Sequence, residues 1–100
     1  MPTRERVEKN ERLFREVNER IREVGQRTAE TTTQFDFFCE CAQLGCIERL
    51  TMTLDQYGRV RSDETRFAVL PGHELPELER IVEHHGTHVV VAKPWLDEAR

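Results

Sequence analysis

Three cysteines fall within eight residues, at Cys39, Cys41 and Cys46, and the stretch of chain that must fold around them is short. This crowding constrains the fold more than any other feature. Cysteines acting as small buried hydrophobes have no physical reason to gather at one loop, whereas metal ligands do. Three is an odd number, so a closed disulfide set leaves one over. In a reducing compartment, clustered cysteines serve as metal ligands or redox groups.

The need for such a staple follows from how charge is distributed along the 100 residues. Residues 1–28 carry eight Lys or Arg and six Asp or Glu, and the remainder carries seven and thirteen. The first stretch is slightly basic and highly charged, leaving an acidic body of roughly seventy residues, a size at which cores often need a metal or oligomerisation. An acidic body also argues against a broad nucleic-acid surface. No apolar run approaches the ~20 residues that span a bilayer, and the N-terminus lacks the apolar stretch of a signal peptide. The expected location is cytoplasmic.

Thr3 can cap a helix running to about Arg27, with a narrow apolar stripe. Val7, Phe14 and Ile21 share one heptad position, and Asn10, Val17 and Val24 share the other. Such a stripe serves to dock on the protein's own body, on a protein partner, or on a second copy as a homodimeric coiled coil. Residues 29–33 read as a linker. Phe35, Phe37, Cys39 and Cys41 then alternate with Gln34, Asp36, Phe38 and Glu40, and Leu50 and Met52 alternate with Arg49, Thr51 and Thr53, giving a hairpin whose loop carries the cysteines. Thr53 and Gln56 form a capping-box pattern for a short helix with Leu54, Tyr57 and Val60 inward. Arg66–Leu70 reads as a strand. Pro76 opens a second short helix through Leu78, Ile81 and Val82, closed by a left-handed Gly86. Residues 88–92 read as a buried last strand, and 95–100 as a loose tail. The expected fold class is α+β, with a long N-terminal helix, a small three- to four-stranded sheet in ββαβαβ order over 34–94, and two short helices.

Zinc needs four donors, so the C-x-C-x₄-C cluster wants one more ligand. His73 fits best, because Pro71-Gly72 turns the chain sharply just before it. Two residues apart on a strand, Cys39 and Cys41 are too far separated for one ion unless the backbone bends. Three thiolates and one imidazole close the coordination, which describes a structural Zn²⁺ rather than a catalytic one. Buried core cysteines, an iron–sulfur cluster and a thiol redox switch are the alternatives. Of the other histidines, His84 and His85 fall at the expected helix C-terminus. His88 reads as exposed, or as a replacement for His73. Scattered glycines form no phosphate loop, and no nucleophile–base pair stands out, so no catalytic activity is expected. A transcription accessory factor is a further alternative, weakened by glutamates interleaved among the helix arginines.

Phe37-Phe38-Cys39-Glu40-Cys41, Cys46, Leu50-Thr51-Met52-Thr53 with Tyr57 and Arg61, Arg66-Phe67, Val69 and Pro71-Gly72-His73-Glu74 resemble a group of short uncharacterised proteins of actinobacterial type. That group has a charged N-terminal helix, an F-x-C-E-C…C segment and a P-G-H-E turn. Where it usually has an acidic residue before the tyrosine, this chain has Gln56. The resemblance implies that Cys39, Cys41, Cys46 and His73 belong to one site, and it implies no activity.

Overall fold

The computed structural model describes residues 4–30, 32–41, 43 and 45–93, with side chains from Arg12 onward. The Thr3 cap, the Val7 and Asn10 side chains and the 95–100 tail lie outside the described residues. The chain is α+β, in the order α1 (Arg4–Thr28), β1 (Gln34–Phe38), β2 (Arg49–Thr53), α2 (Leu54–Arg61), β3 (Arg66–Val69), β4 (Arg80–His84) and β5 (Val89–Ala92). Among the described residues there are two sheets instead of one, both antiparallel. One is the β1–β2 hairpin and the other has the order β3-β5-β4.

The first sheet pairs Phe37 with Leu50 and Phe35 with Met52. Phe37, Leu50 and Met52 are buried, while the residues alternating with them are less so. That is the period-two pattern of a half-buried strand. Thr53 starts α2 with a full capping box: its hydroxyl accepts from the Gln56 N–H at 3.0 Å, and the Gln56 side chain accepts from the Thr53 N–H at 2.9 Å. Leu54, Tyr57 and Val60 of α2 face the core, and the Tyr57 ring stacks on Phe37 at 4.6 Å between centroids.

The second short helix is not formed, and the expected ββαβαβ order is corrected to ββαβββ after α1. Residues 76–78 make one turn, in which the Leu78 and Glu79 N–H groups donate to the Leu75 carbonyl at 3.0 and 2.8 Å. Glu79 then folds back to accept from the Leu75 N–H at 2.7 Å, and the chain extends into β4. The helix-like spacing of Leu78, Ile81 and Val82 has a different origin. The β4–β5 register shifts between Ile81 and Glu83, so Val82 is the extra residue of a bulge and adjacent apolar residues both lie half-buried. Ile81, Val82 and Val89–Val91 are β-branched, which favours extended backbone over a helix. Among the described residues only Gly45 and Gly72 have positive φ, so Gly86 is a hairpin residue and not a left-handed helix cap.

That hairpin buries His88, another departure from expectation, to 1% exposure. Its ring stacks on His85, and burial pulls its pKa down to about 4 from 6.5. With the folded-state value depressed, the contribution to stability is present above pH 6.5 and is lost as pH falls through about 4. The loss is on the order of 2–3 kcal/mol. Urea midpoints at pH 7 and 4.5 should therefore fall less for His88→Gln than for the wild type, the other acid-sensitive groups being common to both.

Helix α1 packs against β1 and α2. Phe14 sits 5.9 Å from the Phe38 ring, Ile21 packs on the core and Asn18 is fully buried. The heptad seam is therefore split: Phe14 and Ile21 turn to the body, while Val17 and Val24 remain exposed, as does Leu13 beside the seam. Gly25 lets the helix approach closely, since a Cβ there would stand 3.0 Å from Leu54 Cδ2 and 3.2 Å from Phe35 Cζ. Alanine normally gains ~1 kcal/mol over glycine inside a helix. Here overpacking against buried Leu54 outweighs that gain, so Gly25→Ala should lower stability by about 1 kcal/mol in chemical denaturation.

Candidate metal centre

Strand β1 ends at Phe38, and the next three residues cross from the first sheet to the second. The Cys39 N–H still donates across the hairpin to Glu48 O at 2.8 Å. The Glu40 N–H instead donates to Ala68 O on β3 at 2.9 Å, and one carboxylate oxygen of Glu40 accepts from the Ala68 N–H at 3.0 Å. β3 is an edge strand, so Glu40 takes up its otherwise unpaired edge. This crossing supplies the bend that the C-x-C spacing requires, and Cys39, Glu40 and Cys41 are all buried.

The other two donors come from turns. Cys46 N–H donates to Gln43 O at 3.2 Å, with Gly45 at φ 81. His73 N–H donates to Leu70 O at 2.9 Å over Pro71-Gly72, with Gly72 at φ 91. Proline second and a positive-φ glycine third is the pattern of a type II turn. Glu74 steadies it by accepting from the Gly72 N–H at 2.9 Å.

These pieces bring Cys39, Cys41, Cys46 and His73 together. One donor atom from each lies within 4.8 Å of all the others, and none of the sulfurs is in a disulfide. His73 Nδ1 is 3.6 Å from both Cys39 Sγ and Cys46 Sγ, while Nε2 lies 3.1 Å from a Glu48 carboxylate oxygen. With Nε2–H directed at Glu48, Nδ1 presents its lone pair to the sulfurs, the arrangement usual behind metal-bound imidazoles. His88 is not among the four.

The sulfurs share protons unequally. The Cys39 S–H hydrogen-bonds to Cys41, which raises Cys39 above the usual thiol range, with burial adding to the rise. The same bond lowers Cys41, with His73 assisting. Burial raises Cys46. Cys39 Sγ also accepts from the Leu70 N–H at 3.2 Å. A set of four soft and borderline donors around a partly deprotonated centre can hold a divalent cation.

The sequence reading missed what surrounds the ligands. Glu40 is completely buried, and besides Ala68 it accepts from Tyr57 OH at 2.5 Å and Asn18 Nδ2 at 2.9 Å. Burial raises its pKa, against the pull of these donors and Arg15. Asn18 further holds Phe38 by its backbone N–H and C=O, both at 2.8 Å, and so fastens α1 beside the site. On the far side, Glu79 and Lys93 form a wholly buried pair at 3.1 Å, with Lys93 Nζ 3.6 Å over the Phe67 ring. Burial pushes Glu79 up to about 7, with the Cys41 charge adding to the rise, and holds Lys93 well below its ordinary value. One signal for Asn18 existed, a weak helix former in mid-helix. Glu40 was marked only by its place in the F-x-C-E-C element, because strand alternation puts it on the solvent side.

Searches against protein-family models, curated proteins and solved structures found no match to this chain.

Proposed function

We propose that this chain is a non-catalytic interaction module stapled by a structural Zn²⁺, with Cys39, Cys41, Cys46 and His73 as the four ligands. The observation that carries the reading is the spacing of the donors. Bonds of 2.0–2.3 Å to a tetrahedral zinc put neighbouring ligand atoms roughly 3.5 Å apart. His73 Nδ1 is 3.6 Å from two of the sulfurs. Three thiolates and a neutral imidazole leave the site with one net negative charge and no position for a reacting water. An all-thiolate set would suit an iron–sulfur cluster better.

The surface offered to a partner, either another protein or a second copy, is the outer side of α1. There Leu13, Val17 and Val24, with Ile21, Gly25 and Phe35, line an open apolar groove. Phe14 turns instead to Phe38 on the body, and Val7 continues the sequence pattern. The proposed setting is cytoplasmic, where reduced thiols persist; among the described residues no helix is long and apolar enough to cross a membrane. Kinship with the short actinobacterial-type proteins is proposed on the F-x-C-E-C and P-G-H-E elements.

Elemental analysis and light scattering on protein purified in reductant without added metal test the proposal. One zinc per chain, with unfolding on chelation, is the expected result. Folded protein free of metal would overturn it, and a mass of one or two chains would decide between an outside partner and self-association.

A further inference from the structure

The four donors are held unequally, and the inequality has a chemical consequence. Cys39 and Cys41 are buried and fixed on either side of Glu40, which ties that segment to α1, α2 and β3. Cys46 is half-buried on the hairpin loop, between exposed Gly45 and Ile47, the latter 72% exposed. Cys46 is therefore the most accessible of the three cysteines, and both buried sulfurs stand within 4.8 Å of its own.

Resting on the zinc reading above, we propose that Cys46 is a thiol oxidation site through which a hydroperoxide opens the metal centre. The Cys46 sulfur attacks one oxygen of hydrogen peroxide and the O–O bond breaks. With a proton from solvent, this gives a sulfenic acid and one water. One of the two buried thiolates then attacks the sulfenic sulfur. The S–S bond forms, the S–O bond breaks, and hydroxide leaves to become a second water. Two electrons pass from the two sulfurs to the peroxide. The disulfide removes two of four ligands, and a thiol reductant restores them by exchange. The Glu40 anchor keeps the C-E-C segment in place during the exchange, so the loop carrying Cys46 is the part that moves.

The test uses the wild-type chain, with its zinc content measured before any oxidant is added. Equimolar hydrogen peroxide is then followed by zinc release to a chromophoric chelator and by peptide mass mapping. One zinc should be released per disulfide, every mapped disulfide should contain Cys46, and dithiothreitol with zinc should reverse the change. In parallel, brief treatment with N-ethylmaleimide should label Cys46 at least about tenfold faster than Cys39 or Cys41. Absence of metal before oxidation would overturn the zinc reading, and this inference with it. Zinc retained through oxidation, a Cys39–Cys41 disulfide, or first labelling of a buried cysteine would overturn the inference alone and leave the structural zinc standing.

Discussion

Cys41→Ser should retain no zinc and should lose the cooperative unfolding of the body, the largest effect expected of any single substitution here. Cys41 is fully buried, and its sulfur is one of the four donors gathered at the site. Serine keeps the shape but offers a hydroxyl that does not ionise near neutral pH and binds zinc poorly. Structural zinc contributes ~10–16 kcal/mol of apparent binding free energy in small peptide folds. A core of about seventy residues rarely supplies more than ~3–5 kcal/mol. Losing the metal therefore outweighs what remains. Near-ultraviolet dichroism from the Phe37–Tyr57 stack should vanish. Far-ultraviolet helicity should fall only in part, since the 25-residue α1 exceeds the ~12–15 residues below which isolated helices are marginal. Chelation of the wild type should reproduce both changes. A Cys41→Ser protein that melts like the wild type would remove the structural role of the site.

Glu40→Gln should lower stability by about 3 kcal/mol and shed zinc to a chelator at least about tenfold faster. The substitution preserves volume, so no cavity contributes to the effect. Three donors converge on the carboxylate, two on one oxygen and the Ala68 N–H on the other. An amide has one acceptor oxygen, and its NH₂ must face either Ala68 N–H or the Asn18 and Tyr57 donors. At least one buried donor is then left unsatisfied, beside an amide that also lacks an acceptor. Urea denaturation reads the first effect and stopped-flow zinc transfer the second. Coupling should also be visible: Asn18→Ala in a Glu40→Gln background should cost about 1 kcal/mol less than in the wild type. Equal costs in both backgrounds would mean that Asn18 acts through Phe38 alone.

The parts legible in the sequence are those set by local chemistry. The α2 capping box needs only Thr53 and Gln56 three residues apart, and the hairpin only alternating apolar residues around a glycine-containing turn. The Pro71-Gly72 turn likewise depends on the φ preferences of its own two residues. The grouping of Cys39, Cys41, Cys46 and His73 was legible as a chemical need, since crowded thiols want a shared partner. What local pattern could not supply was the number of sheets, the fate of residues 76–86, or the role of Glu40. Leu78, Ile81 and Val82 carry helical spacing, but a bulge in β4 gives the same spacing once β5 lies beside it. Glu40 obeys strand alternation on paper. Its burial exists only because β3 presents a free edge, and because Asn18, twenty-two residues earlier, and Tyr57, seventeen later, arrive at the same carboxylate. Sequence fixes what is decided by neighbouring dihedral angles and side-chain chemistry. Only the tertiary structure decides where a buried carboxyl group finds its donors, because those donors come from elements that meet only once the chain has folded.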